Sequence, residues 1–261
     1  MLALEDLGFE IVIGSLNPPP NTFRHGRFRE IKAPIYYPPP AGLLKAAANS
    51  EEFKAALGSL LTQHEKSYDA SFKPEVRARN AYHFGRLFRR LGIDHIHVHF
   101  ANRATHTALF LREMGLPFSF TAHAQDFMVD LGSDDLLREL CAAAEFVVAV
   151  SDFSKGLLQQ TCPDSAGKIV RIYNGIRPED FPAASPGSRK DDELRIISVG
   201  RLIEFKGFHD LIAACGTLRD RGIGFRCEII GEGPWREKLE AQVANLNLGD
   251  KVLLPGVRAQ E

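Results

Sequence analysis

Hydrophobic positions along this chain switch repeatedly between two patterns. Short, nearly continuous apolar runs rich in β-branched residues alternate with longer stretches of helical period. The runs predict strands over Phe9–Leu16, Ala33–Tyr37, His95–Phe100, Pro117–Thr121, Phe146–Val150, Lys168–Tyr173, Arg195–Val199 and Phe225–Ile230, with Val252–Pro255 as a further one. Runs this apolar suit strands covered on both faces. Helices are predicted over Leu43–Gln63, Pro74–Leu91, Arg103–Met114, Asp134–Ala143, Phe153–Gln160, Phe208–Asp220 and Pro234–Leu246, and Met1–Leu7 reads as the tail of another. Pro74 and Pro234 suit first helical positions, and Gly92, Gly115, Gly222 and Gly249 follow helix ends. Strand–helix–strand alternation implies parallel sheets with right-handed crossovers. The chain reads as an α/β protein.

One segment breaks this rhythm. Pro182–Glu193 (PAASPGSRKDDE) is polar, rich in Pro, Gly and Ser, and aperiodic, as a linker between domains would be. It separates a first part, residues 1–181, from a second, residues 194–261. The second part holds too few strands for a complete doubly wound domain, and the first opens late in one. The expectation is therefore a chain truncated at both ends, with its first strand missing.

Composition and charge narrow the function. The chain has 261 residues, 44% of them apolar and 25% charged, with 32 Lys and Arg against 33 Asp and Glu. A net charge of −1 argues against a domain built around nucleic acid, which usually carries a basic excess. Cys141, Cys162, Cys215 and Cys227 are scattered, without the spacing of a zinc hook or a redox pair, and read as reduced, mostly buried thiols. No apolar run approaches the ~18 residues of a membrane span. Glu5, Asp6 and Glu10 interrupt any signal-like stretch at the start. A cytoplasmic protein is expected.

Candidate chemistry concentrates in Ile197–Ile212 (ISVGRLIEFKGFHDLI), where a strand ends, Gly200 allows a tight turn, and a helix begins after Gly207. Ligands of open parallel sheets bind beyond the carboxyl ends of the strands, where helix N-termini present free N–H groups. Arg201 and Lys206 add a forked cation and a point charge there, so a diphosphate is the natural guest. A second turn, Ile229–Leu239 (IIGEGPWREKL), has Gly231 and Gly233 to bring backbone close to whatever fills the crevice. It lacks the Lys-Ser/Thr pair of a P-loop and the third glycine of a dinucleotide fingerprint.

Together these segments resemble the retaining glycosyltransferases of family 4, which have the GT-B architecture of two Rossmann-like domains. The likeness runs through His95–Ala101 (HIHVHFA), Ser119–Phe127 (SFTAHAQDF), Val147–Leu158, Ile172–Phe181 (IYNGIRPEDF), Val199–Gly207, Gly231–Glu240 and Val252–Val257, in the family's order. The closest subgroup is the enzymes that build bacterial exopolysaccharides. The resemblance implies a UDP- or GDP-sugar donor, a saccharide or lipid-linked acceptor, and no metal. It implies that Arg201 and Lys206 hold the donor diphosphate and that His123 faces the donor sugar, with Asp126 shaping the same loop. Gly200, Gly231 and Gly233 would line the donor site, and the backbone at Val257 and Arg258 would contact the base. The family's paired glutamates of the second domain, and its acceptor-side glycine loop, are not found among these residues. A non-catalytic nucleotide- or partner-binding pseudoenzyme module is the alternative.

Two further features invite weaker readings. His97 and His99 alternate on one strand, with His106 and His123 downstream, which suggests a metal site; no Asp or Cys completes a ligand shell, so a structural place near the cleft fits better. On the Pro74–Leu91 helix, Phe84, Leu87, Phe88 and Leu91 form a core stripe, and Arg79, His83, Arg86 and Arg90 a basic one. A basic stripe is by default solvated; docking to anionic lipid at the inner face of the cell membrane is the functional option.

Overall fold

The structure, a computed structural model, describes residues 2–18, 26–176, 178–180 and 193–258. The linker expected over Pro182–Glu193 lies outside them, apart from Glu193 itself. The chain divides into two compact units, Met1–Thr22 with Ile31–Arg177 and Phe23–Glu30 with Pro178–Glu261. A single linear boundary does not anticipate that Gly26–Glu30 groups with the second.

In the first unit, helix α1 (Leu2–Asp6) precedes a small parallel pair, β1 (Ile13–Gly14) and β2 (Ile35–Tyr36). Both strands are shorter than Phe9–Leu16 and Ala33–Tyr37. The Glu5 carboxylate accepts from the N–H groups of Lys32 and Ala33, and Pro34 has none to give, so the ladder cannot extend towards β2's start. Where one helix was expected over Leu43–Gln63 there are two, α2 (Ala41–Ala47) and α3 (Glu51–Ser67). Ser50 makes the break. Its Oγ accepts from Phe53 N–H at 3.2 Å and Glu51 and Glu52 occupy the first turn, which starts a new helix.

Helix α4 (Pro74–Arg90) then packs across α5 (Arg103–Glu113) and α3. Phe53, Leu57, Phe84, Phe88 and Phe110 form one core here. Leu91, assigned above to the core stripe, lies just past the helix end and is 41% exposed. Four parallel strands follow in the order β3 (Ile96–His99), β4 (Phe118–Ala122), β5 (Val147–Ala149) and β6 (Ile169–Arg171). Helices α5, α6 (Asp134–Ala143) and α7 (Asp152–Thr161) begin at Asn102, Ser133 and Ser151, each of whose side chains accepts a first-turn N–H. Phe118 and Phe120 are fully buried; removing such a ring from water contributes roughly 1.5–3 kcal/mol.

His106 does not join the strand histidines. It is buried in α5, its Nε2 3.0 Å from His64 Nδ1, while His64 Nε2 lies 3.0 Å from Glu139 and Tyr68 donates to the same carboxylate at 2.7 Å. Burial, and then His64, pushes His106 down to about 3. This network ties α3, α5 and α6 together, and the hydrogen bonds among its members are what make it tolerable inside a core.

The second unit carries β7 (Leu194–Val199), α8 (Phe208–Asp220), β8 (Phe225–Ile230), α9 (Arg236–Asn245) and β9 (Val252–Gly256), with the sheet ordered β7-β8-β9, all parallel. Leu202, Phe208, Ile212, Phe225, Ile229 and Leu239 fill its core. Pro234 does not open α9. It lies in a turn before the helix, because Trp235 N–H is already bonded to Leu202 O at 3.0 Å. All four cysteines are buried free thiols. Among the described residues no helix is long and apolar enough to cross a membrane.

Candidate functional site

In the second unit the candidate residues gather at the carboxyl ends of β7 and β8. After Val199 the chain turns through Gly200, Arg201 and Leu202, forms a short 3-10 turn over Glu204–Lys206, and enters α8 at Gly207 in a left-handed conformation (φ 66°). The Lys206 stem passes beside the Gly200 backbone, since a Cβ on Gly200 would lie 3.9 Å from Lys206 Cδ. Arg201 and Lys206 are exposed, and neither makes an ion pair or side-chain hydrogen bond among the described residues. Lys206 stands directly before the N-terminus of a thirteen-residue helix and Arg201 in the turn that leads to it, two unengaged cations in the segment where an anion meets free N–H groups.

Gly231 and Gly233 belong to the same construction. A Cβ at Gly231 would run into the Gly200 carbonyl oxygen, and one at Gly233 into the Leu202 carbonyl. Gly231 also has φ 151°, a conformation L-residues rarely adopt. Backbone bonds hold the two turns side by side: Gly200 N–H to Ile230 O at 3.0 Å, Leu202 N–H to Glu232 O at 2.9 Å, and Trp235 N–H to Leu202 O. Gly231 N–H reaches across to Gly256 O at 3.0 Å. Within this unit, then, what the glycines approach is the neighbouring loop. Glu232 is held by Arg236 at 2.7 Å and 2.9 Å. Val257 is 54% exposed past the end of β9, and Arg258 pairs with Glu228 at 3.3 Å.

In the first unit His123 follows β4 and is half-buried. Its N–H donates to Asp126 Oδ1 at 2.8 Å, while Asp126 Oδ2 accepts from Ala101 N–H. The buried Asp126 carboxylate thus clamps the loops that follow β3 and β4. Phe100 (φ 77°) and Ala124 (φ 74°) take left-handed conformations on either side of it. The Phe100 ring lies 4.7 Å from the His123 ring, and His99 Nδ1 lies 3.3 Å from His123 Nε2. The sequence groups His97 and His99 with His123 only as a possible metal cluster and does not anticipate the direct contact between His99 and His123. The missing information is register: β3 and β4 align His97 with Ser119 and His99 with Thr121. His97 bonds to Ser119 and Thr121 at 2.8 Å each, and desolvation followed by its histidine neighbours lowers it to about 4. Among the described residues no cluster of His, Cys, Asp or Glu is arranged to hold a metal ion.

A family model described as Glycosyltransferase Family 4 matches residues 2–180, and one described as Glycosyl transferases group 1 matches residues 181–261. The chain belongs to glycosyltransferase family 4. Among curated relatives of this family-4 chain, WcaL of Escherichia coli (strain K12), whose name assigns it to colanic acid biosynthesis as a glycosyltransferase, is 31% identical over 58% of this chain and 38% of that protein. The amylovoran biosynthesis glycosyltransferase AmsK of Erwinia amylovora is 36% identical over 40% of this chain and 25% of its own length. The chain thus spans well under half of either relative. A glycosyltransferase structure from Rickettsia africae ESF-5 superposes with a TM-score of 0.62 at 18% identity, covering 99% of this chain and 63% of that one. Anabaena Alr3699/HepE, solved with UDP and glucose, gives 0.56 at 20% identity, covering 78% of this chain and 60% of its own. At these identities the likeness concerns fold, and it agrees with the GT-B-like α/β class expected from the sequence.

Proposed function

We propose that this family-4 protein transfers a glycosyl unit from a UDP- or GDP-sugar to a saccharide or lipid-linked acceptor, with retention at the anomeric carbon, in exopolysaccharide or cell-surface glycan biosynthesis. The observation that carries the proposal is the pair of unengaged cations, Arg201 and Lys206, on an interlocked loop pair at the start of α8. As the glycosidic bond to the donor diphosphate breaks, negative charge grows on its oxygens. Fixed cations and helix N–H groups stabilise that charge without reorganising. On this reading they take the place of a metal. His123 faces the donor sugar, Gly200, Gly231 and Gly233 shape the donor wall, and Val257 and Arg258 lie beside the base. The names of the relatives support polysaccharide synthesis, and family membership favours an enzyme over a non-catalytic binding module. Titration with a panel of UDP- and GDP-sugars, read by donor-dependent product formation, tests it. One donor class should react, and no turnover with any of them overturns the proposal.

The acceptor side has its own candidate surface. A groove of about 360 Å³ between α2 and α4 is lined by Leu43, Leu44, Tyr82, His83, Arg86 and Arg90. Arg79 is engaged by Glu75, and His83 is half-covered, so only part of the basic stripe is solvated. Arg86 and Arg90, exposed beside two leucines, suit an anionic lipid surface at the inner face of the membrane. The protein should co-sediment with phosphatidylglycerol vesicles at low salt and be released as ionic strength rises. Absent or salt-independent binding would end this reading.

A further inference from the structure

We infer that His99 is a positioning residue for His123: it accepts the His123 Nε2 proton and thereby leaves Nδ1 of His123 as a bare hydrogen-bond acceptor for the donor sugar. This deepens the sugar-transfer reading and rests on it for the role of His123. Three observations converge. His99 ends β3, where the period-two alternation puts Ile96 and Val98 towards the core and His97 and His99 on the opposite face. Its Nδ1 lies 3.3 Å from His123 Nε2, with the two rings 5.6 Å apart and only 27° from coplanar. The His123 backbone is held independently by Asp126, so the ring's remaining freedom is rotation about its side-chain bonds, which His99 and Phe100 restrict.

One proton lies between the two facing nitrogens, and its owner decides what His123 can offer. If His99 Nδ1–H donated, both neutral rings would need their proton on Nδ1, the less stable form of a histidine side chain. If His123 Nε2–H donates, both rings keep the more stable Nε2–H form. The second arrangement is therefore favoured. Burial, and then the neighbouring His123, hold the His99 imidazole below its ordinary range, which keeps it a neutral acceptor. Neither His99 Nε2 nor His123 Nδ1 has a partner among the described residues. The ligand group that meets His123 Nδ1 must then be a proton donor such as a sugar hydroxyl; a phosphate oxygen does not qualify.

Side-chain ¹⁵N spectroscopy of the 261-residue chain near pH 7.5 tests this without any turnover assay. His123 should show a protonated Nε2 and a bare Nδ1, with the Nε2 proton exchanging slowly with water. His99→Phe keeps a ring in place and removes the acceptor, and should speed that exchange at least tenfold. His99→Asn returns an acceptor near the Nδ1 position and should restore slow exchange. A proton found on Nδ1 of wild-type His123 would overturn the inference before any variant is made. So would unchanged exchange in a folded His99→Phe protein. Because these signals are read without a sugar nucleotide, a failed donor panel and a failed tautomer assignment are separate results.

Discussion

Replacing Arg201 or Lys206 by alanine in the full-length enzyme should lower turnover by tenfold or more. Each decade corresponds to about 1.4 kcal/mol of lost transition-state stabilisation. The expectation follows from where the two cations stand. Neither is neutralised by a neighbouring carboxylate among the described residues, and the Lys206 stem passes beside the Gly200 backbone at the head of α8. A charge that helps mainly when the diphosphate departs should show in kcat more than in KM. Lys206→Arg should recover part of the loss, since it restores charge but not the compact ammonium. Arg226→Ala is the control. That cation pairs with Glu193 at 3.2 Å, at the amino end of the sheet, and its loss should leave kinetics unchanged. Wild-type kcat and KM in both Arg201→Ala and Lys206→Ala would remove these residues from the donor site.

The second large effect concerns stability. Gly231→Ala places a methyl group against the Gly200 carbonyl and demands a rare backbone conformation at φ 151°. The obstruction is main chain, pinned by its own bonds to Ile230 and Glu232, so it cannot swing aside as a flexible side chain would. A cost of about 3 kcal/mol or more is expected in the second unit, beyond the range of ordinary surface substitutions. Urea denaturation followed at Trp235, the protein's lone tryptophan, reports on that unit. Gly249→Ala, where an added Cβ meets nothing within 4 Å, should shift the midpoint by about 0.5 kcal/mol or less. Equal midpoints for the two variants would show that the loop pair is not interlocked as described.

Much of the architecture was legible because local signals agreed with one another. Helices α5, α6 and α8 fall within a residue of the ranges the helical period predicts, with Gly207 before α8 and Gly115 and Gly222 just past the ends of α5 and α8. The misreadings have local causes too. An apolar period running across Ser50 concealed a helix break that depends on one side-chain hydrogen bond. The Glu5 carboxylate shortened β2 by occupying backbone donors twenty-seven and twenty-eight positions away, which no window of sequence reveals. The candidate site divides in the same way. That Arg201 and Lys206 lie near each other could be read from spacing, because both sit in the short connection between β7 and α8. The contacts of His123 with His99 and Phe100 depend on strand register and on two left-handed residues, which alternation leaves open, whereas its bond to Asp126 stays within the one loop. Glycines 231 and 233 were legible as necessary, yet the reason is a neighbouring main chain that only the folded sheet supplies.

That interlocking also bears on recognition. Turns stapled to each other by main-chain bonds have little motion left to lose when a guest arrives, so binding there carries a small ordering penalty. If a donor diphosphate seats there as proposed, such a wall meets only the group that every nucleotide sugar shares, and discrimination among bases and sugars falls to the side chains around it.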